Sequence, residues 1–342
     1  MRNLVIGGAG FIGSNLVSAL LKGNEEVIVF DNLSRKGSKK NLDWLRSKGE
    51  FEFVKGDVRN YDVIKNLFKN GKNIDVVFHM AAQVAVTTSV VNPREDFEIN
   101  ALGTLNLLEA VREAEKDPII LFASTNKVYG KLGGVAVAEK ANRYELEKMV
   151  NGISEREPLD FYSPYGCSKG CADQYVLDYA RIYGLRTVVF RKSCIYGYRQ
   201  FGVEDQGWLA WFTIAAALGK QITIYGNGKQ VRDVLFIDDL VRAYLSARDN
   251  IDKIVGRAYN VGGGIGNQLS LLELLELLSK LFGKHIDVEF SDWRPGDQPV
   301  YISDISKIKK EMGWVPEIGV EDGVNRLCKW VSSNKELFKH HL

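Results

Sequence analysis

Two short segments of the sequence carry groups that suit redox chemistry at a hydroxyl-bearing carbon. Tyr165 and Lys169 lie four residues apart, and residues at that spacing share one face of a helix. A free phenol has a pKa of about 10, and a neighbouring ammonium lowers this pKa because it favours the phenolate. The pair therefore predicts a base that takes a hydroxyl proton near neutral pH while a hydride leaves the same carbon.

The second segment is rich in glycine and directly follows a short apolar run at the N-terminus. Gly7, Gly10 and Gly13 are spaced as in loops that let a dinucleotide pyrophosphate approach the positive end of a helix. Asp31 follows Gly13 by 18 residues, where a carboxylate binds the adenosine ribose hydroxyls and favours NAD over NADP. Arg35 lies nearby and could accept a 2′-phosphate instead. The alternative is a structural turn with an unrelated aspartate.

Later strand ends supply further candidates for contact with the same cofactor. Asp57 and Val58 would lie beside the adenine, although Asp57 could instead cap the next helix. Small Ala81 and Ala82 would let the dinucleotide pass close to the backbone, whereas His79 is interpreted as a packed histidine. The predicted cofactor-binding residues are Gly7, Gly10, Phe11, Ile12, Gly13, Asp31, Asn32, Ser34, Arg35, Asp57, Val58, Ala81, Ala82, Gln83, Asn100, Tyr165 and Lys169. Asn100 could instead be a buried structural amide.

The composition is that of an ordinary globular enzyme. Hydrophobic residues make up 45% of the chain and charged residues 26%. At 342 residues the chain is too long for one simple core, so we expect two lobes. The 45 basic and 43 acidic residues nearly cancel, and this balance argues against a nucleic-acid partner.

Cysteine usage and hydropathy indicate the cellular compartment. The four cysteines lack zinc-ligand spacing, and a chain of this size needs no disulfide, so no metal site is predicted. The N-terminus leads directly into a strand-like run without a signal-peptide pattern. No apolar run approaches the roughly 18 residues needed to span a bilayer. We therefore expect a cytoplasmic protein with no membrane partner.

Short apolar runs alternate with amphipathic stretches through the first half of the chain. This alternation predicts an α/β fold of Rossmann type, which is a doubly wound parallel sheet whose carboxyl-end loops form the ligand crevice. The predicted strands are 3–6, 26–30, 52–54, 76–79, 119–123 and 187–191. The predicted helices begin near Phe11, Lys40, Tyr61, Pro93 and Pro164.

After Arg191 the alternation breaks, which predicts a smaller, discontinuous α/β substrate lobe. Predicted helices are 208–218, 237–248, 271–282, 304–312 and 321–332, and predicted strands are 222–225 and 258–261. Ser270 is the expected cap of the third helix, with Glu273 at the capping-box position. The predicted cofactor-binding domain is 1–191, with 234–256 returning to it, and the lobe is 192–233 and 257–342. Residues 133–160 are interpreted as an insertion of undetermined shape.

Together with Ala123-Ser124-Thr125, these segments resemble the extended short-chain dehydrogenase/reductase family, over nearly the whole chain. The late segments 226–233, 259–264 and 294–297 are typical of its nucleotide-sugar epimerases and dehydratases. Three further stretches, 125–130, 163–170 and 198–208, are similar to a subgroup that epimerises CDP-sugars at C2.

The resemblance implies an NAD-dependent epimerase with Thr125, Tyr165 and Lys169 as catalytic residues. It implies that NAD takes a hydride from C2 of a CDP-sugar, that the 2-keto sugar turns, and that the hydride returns to the opposite face. The substrate-binding residues that it implies are Thr125, Asn126, Gln206, Arg232, Arg294 and Tyr301. A homodimer or homotetramer is also implied, because related enzymes pair the corresponding helices.

Some alternatives stay open on the sequence alone. A UDP-glucose 4-epimerase would keep every catalytic residue and move the hydride at C4. A 4,6-dehydratase would carry an acidic pair after the threonine, whereas Asn126 and Lys127 stand there. A non-catalytic NAD-sensing protein is a third alternative. Cys194 replaces an asparagine that binds the substrate diphosphate in many relatives, so this role is not transferred to Cys194. Arg232 and Arg294 could form surface ion pairs instead of binding the phosphates.

Overall fold

The computed structural model describes residues 1–69, 73–294 and 297–339. The chain divides into two compact units. The first comprises 1–128, 161–191 and 241–259, and the second comprises 129–160, 192–240 and 260–342.

The described residues form strands and helices along the whole chain. The strands are β1 (Arg2–Ile6), β2 (Glu26–Asp31), β3 (Glu52–Lys55), β4 (Val76–His79), β5 (Ile119–Thr125), β6 (Val137–Glu139), β7 (Tyr144–Leu146), β8 (Thr187–Lys192), β9 (Cys194–Tyr196), β10 (Ile222–Tyr225), β11 (Val231–Phe236), β12 (Arg257–Val261), β13 (Gln268–Ser270), β14 (Val288–Ser291) and β15 (Val300–Tyr301). The helices are α1 (Phe11–Lys22), α2 (Ser38–Arg46), α3 (Tyr61–Phe68), α4 (Val86–Val91), α5 (Pro93–Phe97), α6 (Gly103–Glu113), α7 (Ser163–Tyr183), α8 (Trp208–Leu218), α9 (Ile237–Asp249), α10 (Ile251–Ile254), α11 (Leu271–Phe282), α12 (Ser306–Met312) and α13 (Val320–Ser333). A π-helical turn, Glu98–Leu102, joins α5 to α6.

A seven-stranded sheet organises the first unit, in the order β12-β8-β5-β4-β1-β2-β3. β1 pairs in parallel with both β2 and β4, so the strand order reverses direction there, as in a doubly wound fold. Leu4, Val5 and Ile6 are completely buried, because helices cover both faces of the sheet. The predicted Rossmann-type α/β fold is confirmed, and β4 has the predicted bounds.

Smaller sheets and helices form the second unit. β11 is buried along its length and pairs with β9, β13 and β15, while β10 pairs with β14. The predicted capping box is confirmed, because Ser270 accepts from the Glu273 amide and the Glu273 carboxylate accepts from Ser270 in return. α12 begins at Ser306 rather than at the predicted residue 304, because the Asp304 carboxylate accepts the Ser306 amide.

Three predicted boundaries differ from the structure. Residues 129–160 belong to the second unit, because their backbone bonds lie there: Tyr144 donates to the Lys229 carbonyl at 2.9 Å, and Ile153 to the Ile302 carbonyl at 2.7 Å. The first unit resumes at residue 241 rather than 234, since β11 pairs only with strands of the second unit's sheet among the described residues. β12 neighbours β8 in the large sheet, although its residues were predicted to belong to the lobe. The insertion contains the hairpin β6–β7.

Candidate active site

The start of α7 holds the phenol of Tyr165 in place. Pro164 stands in the first turn, where its missing N–H costs nothing. Ser163 before it adopts φ +73°, a strained conformation for a non-glycine residue, and its hydroxyl accepts from the Gly166 amide at 3.2 Å. The Tyr165 amide donates to the Ser89 hydroxyl at 3.1 Å. The helix start is thus tied down on both sides of the catalytic tyrosine.

Thr125, Tyr165 and Lys169, which we term the catalytic cluster, are all buried in the first unit. Thr125 is the last residue of β5, and its hydroxyl forms a hydrogen bond with the Tyr165 phenol. Burial, together with the charge of Asp96, raises the pKa of Tyr165 to about 12, although the Thr125 bond opposes the increase. The expected decrease in the phenol pKa is therefore wrong for this structure, because desolvation disfavours the phenolate.

The Lys169 ammonium lies 4.1 Å from the centroid of the Phe122 ring, a cation–π arrangement. Burial and the Lys169 charge lower the pKa of His79 to about 3, so its ring is neutral. His79 Nε2 is 3.0 Å from the Thr104 hydroxyl, which itself donates to the Asn100 carbonyl. His79 is therefore a packed histidine, as predicted from its place at a strand end.

A network of buried polar side chains lies against the catalytic helix. Asn100 accepts from the Gln83 amide at 3.0 Å and donates to the Gln83 carbonyl, to Asp96 Oδ1 and to Ser168 Oγ, at 3.0–3.2 Å. The alternative interpretation of Asn100 as a structural amide is therefore confirmed by these bonds. Any direct contact between Asn100 and a cofactor stays a prediction.

A buried ion pair fastens the same helix to the sheet. Asp173 follows Lys169 by one helical turn and is completely buried. Arg191 Nη2 and Nε donate to its two carboxylate oxygens at 2.9 and 3.0 Å. The hydroxyl of Ser124 donates to the same carboxylate at 2.7 Å, next to Thr125. The ion pair thus joins α7 to β8, and the Ser124 bond joins α7 to β5, the strand that ends in Thr125.

The glycine segment has the geometry of a dinucleotide loop. Gly7 adopts φ +80°, and a Cβ there would lie 2.6 Å from the Ala81 amide nitrogen. A Cβ on Gly13 would meet the Gly7 carbonyl at 2.2 Å. At Gly10, however, a Cβ would meet only that same carbonyl, at 3.2 Å, and among the described residues no side chain caps the helix that follows. Its free amides form a cradle that fits a pyrophosphate.

Asp31 lies at the end of β2, beside this loop. Its carboxylate accepts the Ala9 amide at 3.0 Å and the Leu33 amide at 2.7 Å. Burial raises the pKa of Asp31, while the backbone hydrogen bonds lower it. The carboxylate therefore stabilises the loop, and its predicted bond to ribose hydroxyls would use the remaining lone pairs.

The residues predicted to surround the adenine are only partly brought together. Asn32 donates to Asp57 at 3.0 Å, and the bidentate bond from Arg59 lowers the pKa of Asp57 to about 2. The helix-cap alternative for Asp57 is wrong, because Asn60 caps α3. Val58 packs into the core against Gly103, so its side chain is unavailable to a ligand. Other predicted contacts are half-buried or exposed side chains: Phe11, Ile12, Ser34, Arg35, Ala81 and Ala82.

Arg232 and Arg294, which we term the anchor arginines, are both paired with carboxylates of the second unit. Arg232 Nη2 lies 2.5 Å from Asp297 Oδ1. Arg294 Nη2 lies 3.1 Å from Asp205 Oδ1, and its guanidinium carbon is 3.8 Å from the centroid of the Tyr225 ring. Both arginines thus form ion pairs, as the alternative interpretation expected. Phosphate binding by these arginines stays a prediction. Residues 295–296 of the predicted motif 294–297 lie outside the described residues.

The remaining substrate-binding predictions have different outcomes. Tyr301 is completely buried and stacks on Tyr129 at 6.3 Å between centroids, and its contact with the nucleotide stays a prediction. Asn126 is buried beside Thr125, with 3.4 Å between their side-chain oxygens. Gln206 is half-buried and bridges Val203 through its backbone. The Cys194 thiol accepts from the Trp208 indole at 3.5 Å.

Several functional neighbours were missed from the sequence: Ser89, Asp96, Ser168, Asp173 and Arg191. One signal was present, since Asp173 follows Tyr165 and Lys169 at four-residue intervals on one helix face. Asp96 gave no such signal, because its contact with the catalytic helix is made through Ser168, which lies 72 residues away in the chain.

A family model described as GDP-mannose 4,6 dehydratase matches residues 4–327. The chain belongs to this family. Relatives with other names also match nearly the whole chain. CDP-paratose 2-epimerase of Salmonella typhi is 51% identical over 340 residues, which cover 97% of this chain and 100% of that protein. The resemblance to extended short-chain dehydrogenases/reductases is thereby confirmed.

Solved structures of the family share the fold. UDP-glucose 4-epimerase of Thermotoga maritima, solved with UDP-glucose, has a TM-score of 0.84 at 32% identity and covers 98% of this chain and 100% of its own. dTDP-glucose 4,6-dehydratase of Bacillus anthracis, solved with NAD, has a TM-score of 0.83 at 31% identity, and both chains are fully covered.

Two further observations concern the part of the chain that the structure describes. None of its helices combines the length and the apolar character needed to cross a membrane. No group of three or more His, Cys, Asp or Glu side chains in it is placed to hold a metal ion.

Proposed function

We propose that the protein is an NAD-dependent nucleotide-sugar epimerase that inverts C2 of CDP-paratose to give CDP-tyvelose. The observation that carries the proposal is the catalytic cluster, in which Thr125 and Tyr165 share a hydrogen bond one helical turn from Lys169. The identity of 51% to a CDP-paratose 2-epimerase, over the full length of that protein, supports the choice of substrate.

The cradle at Gly7, Gly10 and Gly13 is where the first unit would hold the NAD pyrophosphate, with Asp31 near the adenosine ribose. When bound, NAD accepts a hydride from C2 and returns it, and its oxidised ring brings a positive charge. A positive charge beside Tyr165 favours the phenolate, which offsets part of the effect of burial. Lys169 would bind the nicotinamide ribose and steady the phenolate.

Tyr165 takes the proton of the C2 hydroxyl during oxidation and gives it back during reduction. Thr125 donates a hydrogen bond to the same oxygen and stabilises the charge that develops there. Asn126 follows as a neutral amide, so this position offers no acid for a dehydration. The reaction needs only one base because the two proton transfers are the reverse of each other.

Between the two transfers the sugar has to present its other face. This requires that the CDP end be fixed while the sugar is held loosely. The anchor arginines suit this task, since a guanidinium binds phosphate oxygens in a bidentate manner. The diphosphate would then replace the carboxylates that now pair with them.

The decisive experiment is product analysis by NMR after incubation with NAD and either CDP-paratose or UDP-glucose. We expect CDP-tyvelose to form from CDP-paratose, and Tyr165→Phe to abolish the conversion while leaving NAD bound. Tyr61→Phe is the matched control, because this tyrosine begins α3, outside both the catalytic cluster and the exposed apolar surface of α4 to α7. Inversion of UDP-glucose at C4 without inversion at C2 would favour the 4-epimerase instead.

We also propose a cytoplasmic homodimer or homotetramer. The helices α4 to α7 of the first unit expose large apolar side chains, namely Val90, Val91, Phe97, Leu102, Tyr175, Ile182 and Tyr183. A patch of this kind is typical of a surface that another subunit covers. All four cysteines are free thiols, as is usual in a reducing compartment.

A further inference from the structure

Asp96 is a buried carboxylate that the proposed chemistry leaves unused. It lies on α5, and its side chain is completely buried. Gln83 donates to its Oδ1 at 2.9 Å, Asn100 donates to the same oxygen at 3.2 Å, and Ser168 donates to its Oδ2 at 2.5 Å. A carboxylate is costly to bury, and these three donors stabilise its charged form.

The same contacts attach Asp96 to the turn of α7 that carries the catalytic pair. Ser168 immediately precedes Lys169, and its hydroxyl lies 3.2 Å from the Tyr165 carbonyl. Asn100 donates to that hydroxyl at 3.0 Å, so Ser168 is held from two sides. A displacement of Asp96 would therefore be transmitted to both catalytic side chains.

The charge of Asp96 acts on the catalytic side chains as well. Burial raises the pKa of Asp96, whereas its bond from Ser168 and the Lys169 ammonium lower it. Asp96 in turn raises the pKa of Tyr165. Thr125 from β5 and the uncharged ring of His79 from β4 also face this region, and one helical turn beyond Lys169 the charges of Asp173 and Arg191 pair with each other. Asp96 is thus the charged group that acts on the phenol, and the Lys169 ammonium acts in turn on Asp96.

We propose that Asp96 is a positioning residue that clamps the Tyr165–Lys169 turn and holds a negative charge that acts on both the Tyr165 phenol and the Lys169 ammonium. The inference rests on the proposed epimerase function, in which one phenol has to release the proton that it has taken. A cation alone would stabilise the phenolate and hinder the return of the proton. The nearby carboxylate opposes that effect and keeps the two half-reactions balanced.

The test is Asp96→Asn, which keeps the side-chain size and removes the charge. Without the anion the phenolate is more stable, so the low-pH limb of kcat/KM should move to lower pH, on the order of one pH unit. KM should stay unchanged at the pH optimum, because Asp96 does not contact substrate. Glu95→Gln is the control: it removes one charge from the same helix, at a half-buried site outside the network. A folded Asp96→Asn enzyme with the wild-type pH profile would overturn the proposal.

A second variant separates the clamp from the charge. Ser168→Ala breaks the tether but leaves the carboxylate, so kcat should fall severalfold while the pH limb stays in place. If Asp96→Asn does not fold, an unchanged kcat in Ser168→Ala would count against the clamp.

A measurement independent of turnover distinguishes this proposal from the proposed function. NMR titration of protein labelled at tyrosine Cζ reports the ionisation of Tyr165, and Tyr165→Phe identifies its signal. A lower pKa of this phenol in Asp96→Asn supports the electrostatic role, even if the wild-type protein converts no CDP-sugar. An identical titration in the two proteins refutes it.

Discussion

The two units hold their functional charges in opposite ways. In the first unit, Asp173 and Arg191 form a bidentate pair with side chains 0% and 5% exposed, behind the catalytic cluster. In the second unit, Arg294 pairs with Asp205 at side-chain exposures of 24% and 50%. A buried ion pair cannot be separated without loss of structure, whereas the cation of an exposed pair can exchange its anion for another. The first arrangement suits a fixed reaction geometry, and the second suits a ligand that comes and goes.

The difference matches the demands of an epimerase. Proton transfer between Tyr165 and a sugar hydroxyl requires both groups to be held within hydrogen-bonding distance. The sugar has to turn, however, so it cannot be held by rigid contacts of its own. Reversible binding of the diphosphate by the anchor arginines, as proposed above, would hold the substrate in place and still let its sugar turn. The comparison between the buried pair and the exposed pair can be tested by neutralising the carboxylate of each pair.

The largest effect, on the free energy of unfolding, is expected when the buried pair is broken. Asp173→Asn leaves Arg191 buried without its counter-charge and should lower the free energy of unfolding by about 3–5 kcal/mol. Chemical denaturation followed by tryptophan fluorescence measures this change. Asp178→Asn is the control, because it removes an exposed partner of Arg181 on the same helix and should change little. Equal stability of the two variants would show that the buried pair does not fasten α7.

The sequence singled out Tyr165, Lys169 and the glycine loop because their signals are local. A four-residue spacing places Tyr165 and Lys169 on one helix face, and glycines at fixed spacing after a strand predict the pyrophosphate loop. Strand and helix periodicity likewise placed most elements within one or two residues of their observed ends. These inferences require no knowledge of which distant segments meet.

The larger differences from expectation concern contacts between segments far apart in the chain. The pKa of Tyr165 rises because α5 brings Asp96 close and because the phenol is buried, and neither fact follows from the spacing of Tyr165 and Lys169. Tyr301 was expected at the nucleotide, and the sequence did not show that its pairing strand buries it inside the second unit. Residues 129–160 were assigned to the first unit because the hydrogen-bond partners of an irregular segment cannot be read from its own sequence.

An intermediate effect is expected when an anchor arginine is removed. Arg294→Ala should raise KM for the CDP-sugar by about tenfold to a hundredfold, since a hydrogen bond to a charged group contributes roughly 1.5–3 kcal/mol. The value of kcat should stay unchanged, because Arg294 is not one of the reacting groups. Arg326→Ala is the matched control, as this arginine pairs with Asp322 on a different surface of the second unit. A loss of kcat at constant KM would instead place Arg294 in the reaction itself.

The smallest effect, a change in KM, is expected when Asp205, the carboxylate of the exposed pair, is neutralised. If the diphosphate replaces Asp205 on Arg294, then Asp205→Asn removes a competitor, and KM should fall. The exposed pair is worth no more than about 1 kcal/mol, which limits the decrease to about fivefold. Steady-state kinetics at low ionic strength, with Asp322→Asn as the control, resolve a change of this size. An increase in KM would mean that Asp205 orients the guanidinium for phosphate, and the second unit would then be as preorganised as the first.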